Sequence, residues 1–520
     1  MSADYVTDVV YHRSFVSDLS PSRLRLAAAL NGFPAPSDAD FDYCELGSAH
    51  GDTTAILAAA NPAARFLGID LNPTHIDAAN RSAREGELTN VSFLELDFES
   101  LREQAIPDLD FICAHGVLSW VGPAKRKALL DFVSRKLKPG GLLYVGYNAM
   151  PGWAAVEPLR QLLVTGGASA KDDTSERARL GFALAKHMHD AGAIYFKGNP
   201  SATAMLQKME ELGLPYIAHE YLNAHWTPMY FAQVAQDMAE KDLYFVGQLP
   251  LYSNYRDLVL PPPMHELFAS IGDRATFETL KDFALNEFFR RDVFIKGKTG
   301  RAAATTQAYL DSTEFGLLGA LPVEDVRLPH GTLTFEGPLF EAIFAALEQG
   351  GATGKALTAR AELAAFGTDN VRAALLRAVV ADRVVPLERS KGASGGRESR
   401  AGARVLRTGE DLLRVPSAYN RMILRQTPKS EVPFVLASPV LGTGIPTSPL
   451  EALAIRLLTE APTSKWQDWL RDLFVRQGYR LNVRGRVVEG AAERTQVVLA
   501  EVERFRESRL ARFIEWNILE

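Results

Sequence analysis

The chain runs to 520 residues, 47% of them hydrophobic and 23% charged, the balance of a soluble globular protein too long for one hydrophobic core. Its formal net charge of −6 offers no broad basic field for nucleic acid, and no stretch of about 18 apolar residues is available to span a membrane. Cys44 and Cys113 are the two cysteines; they allow neither a disulfide framework nor a zinc spacing, which points to a reducing cytoplasm.

In chain order, residues 1–40 carry no signal-peptide pattern and read as an N-terminal lid segment in which Tyr5 and Tyr11 close over a ligand. Residues 41–153 alternate short apolar runs with helical stretches. Strands are predicted at 41–46, 65–70, 91–96, 109–114 and 141–147, with helices over 53–60, 73–85 and 123–137. Such alternation predicts parallel strands joined by crossover helices. A helical insertion follows at 154–225. Residues 226–297 contain two further strand-like runs, 243–249 and 292–296. Residues 298–407 read as a middle, regulatory domain for which a winged-helix-like form is one expectation, with short helices over 336–387 and a strand at 383–387. The Ser-, Gly- and Arg-rich stretch 388–407 reads as a solvated loop or linker rather than a polyanion-binding strip. Residues 408–520 read as a helical domain with Pro and Gly turns around 438–449.

Between the first strand and its helix lies Glu45-Leu46-Gly47-Ser48-Ala49-His50-Gly51. Glycine there lets the backbone turn tightly and approach a ligand closely. Many nucleotide folds use such a turn; three acids make this one more specific. Glu45 can accept from a cationic amino-acid headgroup. Asp70, ending the second strand, can accept from ribose hydroxyls. Asp97, ending the third, can accept from an adenine amino group while Phe98 packs near the ring. Three carboxylates along one sheet edge repel a pyrophosphate and attract a sulfonium that also carries an ammonium. That favours S-adenosylmethionine over a nicotinamide cofactor.

On these residues, and on Leu137-Lys138-Pro139-Gly140-Gly141, the chain resembles the class I methyltransferases; Ala49 stands where that family often has glycine. A narrower resemblance rests on His115-Gly116-Val117-Leu118-Ser119-Trp120-Val121, Tyr147-Asn148-Ala149-Met150-Pro151-Gly152-Trp153, His219-Glu220-Tyr221-Leu222 and Leu441-Gly442-Thr443-Gly444-Ile445-Pro446. Tyr5, Tyr11 and the Leu19-Ser20-Pro21-x-Arg23-Leu24 segment fit it too. It points to bacterial methyltransferases with a methyltransferase regulatory domain, the rickettsial outer-membrane-protein lysine methyltransferases among them. The resemblance implies an α/β fold: a Rossmann-like seven-stranded sheet with a helical insertion, then a mostly helical α+β C-terminal half. It makes 243–249 and 292–296 the sixth and seventh strands, with antiparallel pairing at one edge. It implies S-adenosyl-L-methionine as cofactor, held by Tyr11, Glu45, Gly47, Ser48, Ala49, Gly51, Asp70, Leu71, Asp97, Phe98, His115, Gly116, Val117 and Trp120.

Methyl transfer is an in-line displacement for which an enzyme mainly supplies orientation and a water-poor site. A lysine acceptor, with a pKa near ~10.4, must first lose a proton. The Asn/Asp-Pro-Pro-Tyr element of adenine and glutamine methylators is absent after the fourth strand, where His115-Gly116-Val117 stands. His115 is a candidate base or substrate contact, or a support for the cofactor. Tyr147 and Asn148 can orient an amine, or form a structural turn with Pro151 and Gly152. Glu220 and Tyr221 can fold over the cleft toward a cationic substrate, or serve packing. No metal is expected. The leading expectation is N-methylation of lysine side chains on a protein or peptide partner, without nucleic acid, with a homodimer as one assembly. Its rivals are methylation of a small molecule or peptide-derived metabolite, and a non-catalytic cofactor-binding regulator or scaffold. The C-terminal half is expected to select substrate rather than to bind cofactor.

Overall fold

The structure, a computed structural model, describes residues 8–9, 13–170, 173–388, 412–426, 434–483 and 486–520. Tyr5, Tyr11 and the stretch 389–407 lie outside the described residues. Helix α1 (Pro21–Leu30) precedes a seven-stranded mixed sheet of β1 (Asp42–Leu46), β2 (Arg65–Asp70), β3 (Val91–Glu95), β4 (Leu109–His115), β5 (Leu137–Asn148), β6 (Leu243–Gln248) and β7 (Phe289–Lys296). The spatial order is β3-β2-β1-β4-β5-β7-β6. β7 runs antiparallel to both of its neighbours, as the class I resemblance implies. β5 begins four residues earlier and β7 three residues earlier than expected.

Parallel strands covered on both faces need continuous apolar runs, and β1 is buried along its whole length. Crossovers are made by α2 (Asp52–Ala60), α3 (Pro73–Glu85) and, after the single turn α4 (Val117–Trp120), α5 (Pro123–Lys136). Asn72 caps α3 by accepting from the Thr74 N–H, with Pro73 at its first position, both common devices for starting a helix. Strand order reverses between β1 and β4, and a ligand crevice opens at the carboxyl ends of strands at such a point.

The insertion is helical as expected: α6 (Glu157–Gly167), α7 (Thr174–Asp190), α8 (Ile194–Gly198), α9 (Pro200–Leu212) and α10 (Leu214–Tyr221). They share a core around Leu159, Leu163, Ile217 and Tyr221. Around β6 lie α11 (Phe231–Ala239), α12 (Arg256–Val259), α13 (His265–Ala269) and α14 (Arg274–Leu285).

Beyond β7, helices α15 (Ala303–Ser312), α16 (Pro338–Glu348), α17 (Gly354–Thr358), α18 (Ala361–Ala364) and α19 (Thr368–Val380) accompany β8 (Glu314–Leu317), the hairpin β9 (Val326–Leu328) and β10 (Gly331–Leu333), β11 (Ala352–Thr353) and β12 (Val384–Pro386). The sequence showed only the last of these strands. The rest are two to four residues long, too short for a period-two pattern to show. The turn expected around 438–449 is present at 439–442, but it joins two strands the sequence did not show, β13 (Val435–Ser438) and β14 (Thr443–Pro446). Helices α20 (Ala418–Arg425), α21 (Pro449–Glu460), α22 (Trp466–Arg471), α23 (Ala491–Ser508) and α24 (Leu510–Glu515) complete the chain.

The C-terminal half is fused to the sheet. One apolar core joins Leu24, Tyr43 and Phe111 to Phe315, Phe344 and Leu375. Another joins Ile56, Ile76 and Phe93 to Leu436, Leu453 and Phe505. No helix of the described residues is long and apolar enough to cross a membrane.

Candidate functional site

A cleft of about 260 Å³ opens at the carboxyl ends of β1, β2 and β4. Glu45, Gly47, Ser48, Ala49, Asp70, Leu71, Asp97, Phe98, His115, Gly116, Val117 and Trp120 all line it. The sequence had gathered this set from four separate stretches. Gly51 stands behind the lining. Its φ of 70° opens α2, and a Cβ there would lie 2.5 Å from the Phe93 ring. Ala49 adopts φ 46°, a left-handed conformation strained for a residue with a Cβ, and its N–H donates to Asp70 Oδ2 at 2.8 Å.

Glu45 is buried and accepts from the Thr54 hydroxyl. Burial pushes its carboxyl up to about 8; the Thr54 bond opposes this, while Asp70 and Asp52 add to it. Asp70 Oδ1 accepts from the Asn72 N–H at 2.9 Å and faces His75 Nδ1 at 3.3 Å, so this carboxylate braces the turn as well as facing the cleft. Asp97 accepts from the Glu99 N–H and from Lys125 Nζ at 2.6 Å. Among the described residues the buried Ser48 hydroxyl has no hydrogen-bond partner. Buried hydroxyls are rarely left so, and this one lines the cleft.

These groups fit S-adenosylmethionine. Acids for its ammonium and ribose stand at the ends of β1 and β2, an orphaned hydroxyl lies between them, and apolar side chains flank Asp97. Among the described residues no three His, Cys, Asp or Glu converge as metal ligands.

Several lining residues escaped the sequence reading. His50 and His75 bring their rings to 4.4 Å. The segment before α1 lies on the start of α2: Arg13 Nε donates to Asp52 Oδ2 at 2.9 Å, and Val16 N–H donates to Thr53 Oγ1 at 3.1 Å. Ser14, Val16, Asp52 and Thr53 thereby reach the cleft wall, which Lys125 and Phe289 also line. His50 sat inside the turn motif and was legible there. Lys125 and Phe289 carry no sequence signal, because only the packing of α5 and β7 brings them in. His219 also lines the cleft; its Nε2–H donates to the Val9 carbonyl at 2.8 Å, tying the insertion to the N-terminal segment.

Of the catalytic candidates, His115 and Glu220 line the cleft, and Tyr147, Asn148 and Tyr221 do not. Side chains an odd number of residues apart on a strand face opposite sides. Tyr144 and Tyr147 accordingly join different cores, and it is Tyr144 whose hydroxyl meets His115 Nδ1, at 2.8 Å. The Tyr147 hydroxyl donates to Asp292 Oδ2 at 2.6 Å, beside the buried ion pairs of Arg290 with Glu278, Asp282 and Asp292. The Asn148 N–H donates to Ser119 Oγ and its carbonyl accepts from the Met229 N–H, fixing the end of β5. Tyr221 lies about 100° further round α10 than Glu220, and that rotation places it against Trp153 in the insertion core. Burial pushes the His115 imidazole down to about 4, so it is neutral near pH 7.

Residues 44–143 match the methyltransferase domain family, and residues 214–296 match the predicted methyltransferase regulatory domain. The regulatory match thus falls on α10 through β7, ahead of the 298–407 segment expected to carry that name. An uncharacterized protein of Synechocystis is 29% identical over 514 residues, 97% of each chain. An uncharacterized protein of Rickettsia prowazekii is 25% identical over 318 residues, 60% of this chain and 57% of that one. PKMT2 from Rickettsia typhi in complex with AdoHcy shares the fold, with a TM-score of 0.70 at 18% identity over 98% of this chain and 99% of that one.

Proposed function

We propose that this chain, a class I S-adenosylmethionine-dependent methyltransferase with a methyltransferase regulatory domain, N-methylates lysine side chains of a protein. The observation that carries this reading is that Glu220 and His115 both line the cofactor cleft, His115 held neutral near pH 7 by burial. Helix α10 of the insertion delivers the Glu220 side chain to this cleft, where Asp52 and Asp97 are already paired with Arg13 and Lys125, and a carboxylate there attracts an ammonium acceptor. The whole-chain fold relative PKMT2 supports the same reading.

S-adenosylmethionine supplies an electrophilic methyl carbon on a sulfonium centre. Glu45 would hold its ammonium group, Asp70 its ribose hydroxyls, and Asp97 with Phe98 and Leu71 its adenine end. Glu220 would draw in the acceptor as its ammonium by charge; the nitrogen gives up a proton to solvent before its lone pair forms the N–C bond, and the electrons of the broken S–C bond leave with S-adenosylhomocysteine. His115, neutral and braced by Tyr144, offers an uncharged polar contact in the same cleft. We place the reaction in the bacterial cytoplasm, where the free buried thiols of Cys44 and Cys113 stay reduced.

Incubating the protein with methyl-labelled cofactor and whole-cell lysate tests the reading. Label in protein bands, recovered as methyl-lysine after hydrolysis, is the expected result. Label confined to small solutes, or none despite cofactor binding, overturns it.

A further inference from the structure

His115 ends β4 and lines the cofactor cleft, and its two ring nitrogens meet different surroundings. Nδ1 lies 2.8 Å from the Tyr144 hydroxyl, with the two rings nearly parallel at 19°. Nε2 makes no hydrogen bond among the described residues yet is not shut away from solvent, so the cleft is what it faces.

The direction of the Nδ1 bond follows from the phenol. Tyr144 is completely buried, and among the described residues its hydroxyl makes no other hydrogen bond. Asp18, whose charge reaches the phenol, spends its two oxygens on Arg23 and Arg291. If Nδ1 carried the imidazole proton, the phenolic O–H would be a buried donor with no acceptor, a state that proteins avoid. The Tyr144 O–H therefore donates to Nδ1. Because the imidazole is uncharged near pH 7, its single proton then sits on Nε2. His115 faces the cleft as a fixed donor and has no lone pair to offer as a base.

Its position on the sheet says what this donor meets. Glu45 pairs with Cys113 in the register of β1 and β4, and His115 stands two residues further on. Alternate residues of a strand share a face, so Glu45 and His115 project from one face of neighbouring strands, about 7 Å apart along the strand direction. Glu45 would hold the ammonium of the cofactor headgroup, and a carboxylate hangs on the same carbon. That carboxylate enters a cleft lined by Glu45, Asp52, Asp70, Asp97 and Glu220, where Lys125 is already paired with Asp97. An uncharged N–H serves it without setting a cation beside the sulfonium.

We propose that Tyr144 is a positioning residue: its hydroxyl locks His115 as the Nε2–H tautomer, and that N–H binds the carboxylate of the S-adenosylmethionine headgroup. The inference rests on the ammonium lying at Glu45 and is independent of which acceptor is methylated.

The test uses the full-length protein isotopically labelled in its histidines. Long-range proton–nitrogen NMR reads the tautomer, and His115→Leu identifies the signal. Calorimetry compares S-adenosylhomocysteine with its decarboxylated analogue, which keeps the ammonium. The wild type should show a bare Nδ1 and a protonated Nε2. Tyr144→Phe, which removes only the hydroxyl, should let the proton exchange between the two nitrogens. It should weaken S-adenosylhomocysteine about fivefold and His115→Leu about tenfold, each leaving the decarboxylated analogue within about twofold. Glu45→Gln should weaken both ligands. A proton on Nδ1 of the wild type, or equal losses for the two ligands in His115→Leu and in folded Tyr144→Phe, overturns the proposal. If Tyr144→Phe does not fold, the wild-type tautomer and His115→Leu decide. A Glu45→Gln protein that binds both ligands as the wild type does would instead overturn the placement of the headgroup at Glu45 alone.

Discussion

Glu45 carries its carboxyl pushed up to about 8 by burial, well above an ordinary glutamate. Below that pH the side chain holds a proton, whereas a cationic headgroup needs the anion, so binding must release the proton. Cofactor affinity is therefore expected to rise with pH up to about 8 and to level off above it, by at most tenfold per pH unit. Calorimetry at about pH 6, 7 and 8 would measure this, and Glu45→Gln should bind weakly with no such slope. A wild-type affinity flat across that range would remove Glu45 from the headgroup site. Tyr147 gives the opposite kind of prediction. Its hydroxyl serves Asp292, away from the cleft, so Tyr147→Phe should lower stability by about 1–3 kcal/mol and leave turnover within about twofold. A collapse of kcat in a folded Tyr147→Phe protein would restore it as a catalytic group. The acids of the cleft were legible because strand ends mark themselves in sequence. The roles of Tyr144 and Tyr147 were not, because one residue of uncertainty in strand register exchanges the two faces of a sheet.

Two elements give the cleft its shape without supplying its motif. The N-terminal segment clasps the start of α2 through Arg13 and Asp52, with Asp52 itself nearly buried. Arg13→Ala leaves that carboxylate uncompensated. It should loosen residues 13–20 in hydrogen exchange and weaken the cofactor by roughly tenfold; unchanged exchange and affinity would make the clasp incidental. The second element is β7, where Arg290 is fully buried among Glu278, Asp282 and Asp292. Removing one partner from such a cluster typically costs about 3–5 kcal/mol. Arg290→Met should show that loss in denaturant unfolding, with the sheet edge at β6 and β7 opening first. A loss below about 1 kcal/mol would mean the carboxyls simply take up protons instead. The long alternation of β1 through β5 was readable because five strands and three crossovers repeat one pattern. β8 through β11 and the hairpin β13–β14 were not. Their few residues satisfy a turn, a helix end or a strand equally well, and pairing partners far along the chain decide among these.

At the scale of the whole molecule, the described residues that line the cleft lie within residues 14–125, 219–220 or at 289. Residues beyond 300 are nonetheless not detachable from it. β13 and β14 pack on α2, with Gly444 so close that a Cβ would lie 2.6 Å from Ile56. Ser20 Oγ meets Thr443 Oγ1 at 2.5 Å, and Asn61 Nδ2 donates to the Gly442 carbonyl at 3.1 Å. The opposite end of α2 presents Asp52 and Thr53 to the cleft, so one short helix touches both the C-terminal hairpin and the cofactor site. A chain stopped near residue 300 would uncover Ile56, Ile76 and Phe93 as well as Leu24 and Tyr43. Each such side chain loses about 1.5–3 kcal/mol of burial, and a handful exceeds the net stability of an ordinary domain. The shortened chain is therefore expected to be insoluble, or to bind a hydrophobic dye with no cooperative melt. The full-length protein should melt in a single transition that moves upward with S-adenosylmethionine, because the ligand binds only the folded state. Two separate transitions, only one of them shifted by cofactor, would show that the halves fold independently. The C-terminal half would then keep substrate selection as its sole task, and its contacts with α2 would be ordinary packing.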